Sequence, residues 1–150
     1  MIDGKTRLCG LIGNPVEHTM SPVIHNTLAE KCGHNLVYVP FLVEEERLAE
    51  AVKGAWALNV LGMNVTVPYK SAVMESLAEV DELAAHIGAV NTLVRTQGGY
   101  KGYNTDMTGL YRAMRSEGIR IEDEEMILLG AGGAARAVAY LCGAQKAGKV

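Results

Sequence analysis

"RLCGLIGNPVEHTMSPVIHNTLAEKCG" (residues 7–33) holds the reading of the fold. Its first seven residues are a short apolar run that closes on a turn-like Asn14-Pro15 pair. Ser21 is then a fitting helix N-cap, Pro22 suits the first helical position, and Gly33 can take the left-handed conformation that ends a helix. A strand followed at once by a helix is the repeating unit of an α/β fold, and the pattern recurs down the chain. "NLVYVPFLV" (35–43) reads as a second strand, with Pro40 pointing to an edge or a bulge. "EEERLAEAVKGAWAL" (44–58) follows as a helix with acids in its first turn. "VLGMNVTVP" (60–68) is a third strand, and "KSAVMESLAEVDELAAHIG" (70–88) is helical in two pieces that break near Asp81. The alternation predicts an open, mostly parallel sheet with helices on both faces.

In "AVNTLVRTQGGYKGYNTD" (89–106) the Gly98-Gly99 pair is a tight turn between two short strands. A fourth helix is expected over 107–118. "EMILLGAGGAARAVAYLCGAQKAGKV" (125–150) reads as a strand, a glycine turn and a helix. A composition shift between Tyr103 and Glu125, ending in the acidic "RIEDEE" (120–125), marks a boundary between a first unit over 1–103 and a second over 104–150. The second is too short to complete a core of its own, so the chain is expected to be cut within it.

Composition narrows the partners. Hydrophobic residues make up 49% and charged ones 21%, an ordinary globular balance. A net charge of -3 without a long basic run speaks against nucleic acid. Cys9, Cys32 and Cys142 are an odd set without CxxC spacing, which fits a reducing cytoplasm better than a disulfide framework. No stretch approaches the roughly 18 unbroken apolar residues of a membrane span, so a soluble, cytoplasmic protein is expected. His18, His25, His34 and His86 lack paired metal spacing, and no metal site is expected.

Several polar residues fall where chemistry is done. Asn64 and Thr66 share one face of the third strand, opposite Val65 and Val67. Pro68 ends the ladder, and Lys70 stands at the expected start of the next helix, where the dipole disfavours a cation. Open α/β sheets bind ligands at that end of their strands. Lys70 is therefore either a general acid or base or a solvated surface lysine. Asn91 interrupts an apolar run, and a buried amide costs on the order of 1–3 kcal/mol unless it is paired. Asp106 is either the cap of the fourth helix or a ligand. Thr19 and Ser21 offer two hydroxyls beside a helix N-terminus, a good carboxylate site, although Ser21 equally suits capping alone. "LLGAGGAA" (128–135) fits G-x-G-x-x-A with Gly130, Gly132 and Ala135 in register, after an apolar run and before a helix. The backbone of Gly130, Ala131, Gly132, Gly133 and Ala134 is the candidate cradle for a dinucleotide pyrophosphate. The residue that selects NAD or NADP falls about 20 residues on, at or past Val150.

Taken in order, "GNPVEHTMSPVIHN" (13–26), "GMNVTVPYK" (62–70), "GAVNTL" (88–93), "GYNTDMTG" (102–109) and "LLGAGGAARA" (128–137) resemble shikimate dehydrogenase. The resemblance runs over the whole chain and covers roughly the first half of a usual family member. It implies a substrate-binding catalytic domain over 1–103, then a linker helix and the start of an NADP-binding Rossmann domain over 104–150. The implied reaction is reversible, NADP-dependent reduction of 3-dehydroshikimate to shikimate, in aromatic amino-acid biosynthesis. Lys70 and Asp106 match the family's catalytic pair. Thr19 and Ser21 match residues that hold the substrate carboxylate; Asn64, Thr66, Asn91 and Asp106 match those that hold its hydroxyls. Many members carry serine where this chain has Thr19; the hydroxyl is kept but the added methyl narrows the site, which leaves the choice between shikimate and quinate open, and a quinate/shikimate dehydrogenase using NAD or NADP is the neighbouring reading. A non-catalytic carboxylate- and polyol-binding module is the reading from another class. With the cofactor site incomplete, the isolated chain is expected to be inactive. The exposed side of the "MILLGAG" strand suggests a homodimer.

Overall fold

The computed structural model describes residues 2–150. Its centre is a six-stranded sheet ordered β2-β1-β3-β5-β6-β4. The strands are β1 (Arg7–Gly13), β2 (Leu36–Leu42), β3 (Gly62–Val65), β4 (Glu79–Val80), β5 (Thr92–Arg95) and β6 (Tyr100–Tyr103). The helices are α1 (Ser21–Lys31), α2 (Leu48–Ala57), α3 (Glu82–Ile87), α4 (Asp106–Ser116) and α5 (Gly133–Ala144). β1 runs parallel to both β2 and β3, and β4 runs parallel to β6. β3–β5 and β5–β6 are antiparallel. The expected mostly parallel sheet thus has an antiparallel insert, made by the Gly98-Gly99 hairpin, in which Thr96 N–H donates to Gly99 O at 2.8 Å.

That insert positions everything that follows. Because β5 runs against its neighbours, its amino end lies beside the carboxyl ends of β3 and β6. The segments after β1, β3 and β6 and the segment before β5 therefore gather at one end of the sheet. Pro40 sits on β2, which is an edge strand, as the sequence leads one to expect of a residue with no N–H to give a ladder.

Local expectations met the structure unevenly. Gly33 and Gly118 end α1 and α4 with φ of 67° and 70°. Asp81 caps α3, accepting from Leu83 N–H at 3.1 Å, so the break there is real. The piece before it is a short 3-10 helix, Ala72–Ser76, followed by β4. Here pairing with β6 overrides helix preference, since Ala78 and Asp81 N–H donate to Tyr100 and Gly102 carbonyls. The alternation on β3 holds only to Val65, which is buried; Val67, past the end of the ladder, is exposed. The apolar run 126–130 is not a strand among the described residues, and Ile127 and Leu129 are 90% and 92% exposed. A strand needs a neighbour, and only the first rung forms: Glu125 bridges to Lys149 in parallel, with Met126 N–H donating to Lys149 O at 2.8 Å.

The main core lies between the sheet and α2, where Ile12, Val52, Val60, Met63, Val65, Tyr69, Val73, Leu93 and Tyr100 pack. A separate cluster of Ile121, Leu141 and Cys142 joins α4 to α5. Leu93 is 1% exposed at the centre of the main core. Leu93→Ala is expected to cost about 2–5 kcal/mol through lost burial and the cavity left behind, read as a lower urea midpoint with an unchanged denaturant slope.

Candidate functional site

Asp106 opens α4, but it does not cap it. The first amides of the helix are met by Asn104, whose Oδ1 accepts from Asp106 N–H at 3.0 Å and from Met107 N–H at 3.3 Å. The Asn104 amide donates to Ala89 O at 3.0 Å. Asn104 is 5% exposed, so its polar groups depend on these protein partners. The cap expected of Asp106 thus belongs to Asn104, and the Asp106 carboxylate is left free for other partners.

Those partners are Lys70 and Asn91. Lys70 Nζ lies 2.6 Å from Asp106 Oδ2, with both side chains partly buried. Asn91 Nδ2 donates to the other oxygen, Oδ1, at 2.7 Å. Asn91 is itself held in place: its Oδ1 accepts from Thr105 N–H at 2.9 Å and from the Thr92 hydroxyl at 3.0 Å. Lys70 is not at a helix start as expected; it lies in a turn two residues before the short 3-10 helix. Its backbone is tied down by Val90 N–H, which donates to Lys70 O at 2.6 Å. An ion pair with one carboxylate oxygen held by an amide has little rotational freedom, so the ammonium is aimed. Only one hydrogen bond of Lys70 Nζ is made among the described residues, which leaves donors for a ligand oxygen.

Asn64 faces Thr92 across the β3–β5 register, and its Nδ2 makes only long contacts of 3.4 Å, to Asn91 O and Thr92 Oγ1. Its carbonyl is occupied, accepting from Tyr38 O–H at 2.7 Å. The bond fixes which way the amide points. Tyr38 stacks on His25 with centroids 4.3 Å apart, and Asn26 clamps its backbone at 2.8 and 2.9 Å.

Thr19 and Ser21 lie close together: the Thr19 hydroxyl donates to Ser21 Oγ at 3.1 Å and accepts from Ser21 N–H at 3.2 Å. Ser21 does not take the cap role expected of it, because it is already the first residue of α1; the cap position falls on Met20, whose side chain makes no capping bond, and the Thr19 hydroxyl meets the Ser21 amide. Thr19, Ser21 and Thr66 line one cavity of about 290 Å³ with Leu11, Pro15 and His18. The structure thus brings the expected residues into two neighbouring groups at one end of the sheet. Lys70, Asp106 and Asn91 form the charged group, Thr19, Ser21 and Thr66 the hydroxyl-lined cavity, with Asn64 linked to the first by its contact with Asn91. Sequence reasoning missed Asn104, although an Asx residue two positions before a helix is a capping signal. It also missed Tyr38, whose only signal was a polar-tipped ring in an apolar strand.

At the glycine turn, Gly130 has a φ of 118°, a conformation that strains any side chain. α5 begins after Gly132 with no side-chain cap, so its first amides are open to an anion. The residues present fit a pyrophosphate. Among the described residues no group of three or more His, Cys, Asp or Glu could hold a metal ion, and no helix is long and apolar enough to cross a membrane.

Burial pushes the Tyr38 hydroxyl from 10.0 up to about 12, against a smaller downward pull from Ser21. Tyr100 is raised for the same reason. Above pH 10 the unfolded chain loses these protons while the folded chain keeps them, so stability falls as pH rises from 10 toward 12. Thermal midpoints measured across this window are expected to fall less steeply in Tyr38→Phe than in the wild type.

The profile of the family described as the shikimate dehydrogenase substrate binding domain matches residues 11–93. The shikimate dehydrogenase (NADP(+)) of Thermosynechococcus vestitus is 46% identical over 141 residues, covering 94% of this chain and 49% of that one. The crystal structure of shikimate dehydrogenase from Aquifex aeolicus matches with a TM-score of 0.94 and 42% identity, over 98% of this chain and 55% of that one. That of shikimate 5-dehydrogenase from Thermus thermophilus, in complex with NADP(H) and shikimate, matches with a TM-score of 0.88 and 33% identity, over 96% and 54%. The chain spans about half the length of the curated relatives it matches.

Proposed function

Because this chain belongs to the shikimate dehydrogenase family, we propose that it contributes the substrate site for reversible, NADP-dependent interconversion of 3-dehydroshikimate and shikimate. The observation that carries the reading is the Lys70–Asp106 pair at 2.6 Å, with its second carboxylate oxygen held by Asn91 at 2.7 Å. In the direction of reduction a carbonyl oxygen becomes an alkoxide and must be protonated. An ammonium held in the ion pair is the form that donates, and Lys70 supplies the proton there. In oxidation it is the neutral amine of Lys70 that takes the proton from the hydroxyl and becomes the ammonium, and Asp106 holds its head in the same place. Asn91 acts through Asp106, fixing the carboxylate so that proton transfer starts from one geometry.

The remaining residues bind. Thr19 and Ser21 take the substrate carboxylate at the start of α1, and Asn64, Thr66, Asn91 and Asp106 take the ring hydroxyls. Several aimed polar groups reject an analogue lacking a hydroxyl, because each would be left unpaired. The backbone of Gly130, Ala131, Gly132, Gly133 and Ala134 would hold the NADP pyrophosphate. When bound, NADP supplies the redox chemistry of the reaction. The division at residue 103 into a substrate-binding unit and the start of a cofactor-binding unit is part of the same reading, as is a homodimer formed through the exposed 126–130 run. A cytoplasmic location fits the three unpaired thiols of Cys9, Cys32 and Cys142.

An amide-resolved NMR titration of this chain with shikimate is expected to give saturable shifts clustered at Thr66, Lys70, Asn91 and Asp106. Shifts scattered over the surface, or none at millimolar ligand, would count against the substrate site. Quinate, titrated in parallel, is expected to bind more weakly, since the Thr19 methyl narrows the carboxylate end; tighter quinate binding would favour the quinate/shikimate reading. Lys70→Ala in a chain completed by the family's second half is expected to lower turnover by about 10²–10⁴-fold with modest loss of binding. A loss of binding alone would mark a non-catalytic module.

A further inference from the structure

The G-x-G-x-x-A pattern requires glycine at 130 and 132 and leaves position 133 free, yet this chain has glycine there as well. The surroundings of the three glycines differ. A Cβ at Gly130 or at Gly132 would meet nothing within 4 Å. A Cβ at Gly133 would lie 2.9 Å from Lys70 Cβ, 3.2 Å from Lys70 Cδ and 3.5 Å from Ala89 Cβ. The first residue of α5 is therefore seated on the aliphatic stem of the lysine whose head is paired with Asp106.

Neither side of this contact can easily give way. α5 is held by Ala137, 1% exposed against Ile87 and Ala89, and by Arg136, whose guanidinium donates to Gly88 O at 3.1 Å. The same carbonyl accepts from the Ser71 hydroxyl at 3.0 Å, one residue beyond Lys70. On the other side, Lys70 is flanked by the fully buried Tyr69 and, three residues on, Val73, and its carbonyl is held by Val90. A methyl group at 133 would fall on Cβ of Lys70, close to the backbone, where a long side chain has no spare freedom. The displacement would pass down the stem to Nζ.

We propose that Gly133 is a positioning residue for Lys70, its missing side chain forming the seat that aims the ammonium at Asp106. This rests on the reading of Lys70 as the proton-transfer group for its consequence in catalysis, though the contact itself does not. It gives the turn expected to cradle the cofactor a second task, a direct mechanical link to the acid–base lysine.

The test uses this chain with ¹³C-labelled lysine. In the wild type, nuclear Overhauser contacts are expected from Gly133 Hα to Lys70 Hβ and Hδ; their absence would overturn the proposal without any variant. The Lys70 ¹³Cε–¹Hε signal, identified by its loss in Lys70→Arg, is first calibrated by its shift in Asp106→Asn. Gly133→Ala is expected to move that signal by at least half the calibrated shift, while the Trp56 indole signal in the main core stays in place. Ala134→Gly loosens the same helix start at an exposed position without adding bulk, and is expected to leave Lys70 unmoved. An unmoved Lys70 signal in Gly133→Ala, or equal movement in both variants, would overturn the assignment. All of these readings are made without substrate, so they fail independently of the shikimate titration.

Discussion

Asn104, buried at the start of α4, makes three hydrogen bonds to protein partners, and the arrangement of the site follows from how it does so. Its amide donates to Ala89 O, and its carbonyl takes the first two amides of α4. Leaving any of these unmet in a buried position would cost on the order of 1–3 kcal/mol. One side chain thus ties the start of α4 to the segment leading into β5. Once that tie is made, Asp106 on α4 and Asn91 on the segment are neighbours, and Lys70, whose carbonyl is held by Val90 N–H, faces both.

The sheet supplies the frame for that tie. Parallel strands alone would have carried the amino end of β5 to the far side of the sheet. Instead β5 runs antiparallel to β3, so Asn91 arrives beside the end of β3, and the Gly98-Gly99 turn then sends β6 back so that the start of α4 returns to the same place. The polar residues then stand on or beside short segments that join a strand of the sheet to a helix, which is how a rigid scaffold holds a site made of loops. Around this frame the structure is dry where it packs and polar where it opens: among the described residues, no buried side-chain nitrogen or oxygen lacks a partner.

The two halves of the chain meet at the same place. Ile87 and Ala89 pack on Ala137 of α5, and Arg136 reaches the Gly88 carbonyl. Gly133 comes to rest against Lys70. The segment 87–91 therefore carries three contacts at once, with α4 through Asn104, with α5 through Ala137, and with the ion pair through Asn91. A change in how α5 sits has a short physical path to the lysine.

The strands and helices up to Val65 were legible from periodicity and turn chemistry, because apolar alternation, Ser-Pro and terminal glycines act within a few residues of one another. Lys70, Asp106, Asn64, Thr66, Asn91, Thr19 and Ser21 were legible as polar residues in apolar surroundings, and the ordered motifs as a family. What only the tertiary structure decided is which of them touch. Asp106 was freed for Lys70 because Asn104 took the cap, a competition between two residues that local pattern scores alike. The 72–76 segment became a 3-10 helix because β6 claimed the amides after it. Position 133 needs glycine because Lys70, 63 residues earlier in the chain, lies where its side chain would go. Local sequence carries the short-range energies; contacts between distant segments depend on how those energies are jointly satisfied, and that is settled only when the chain packs.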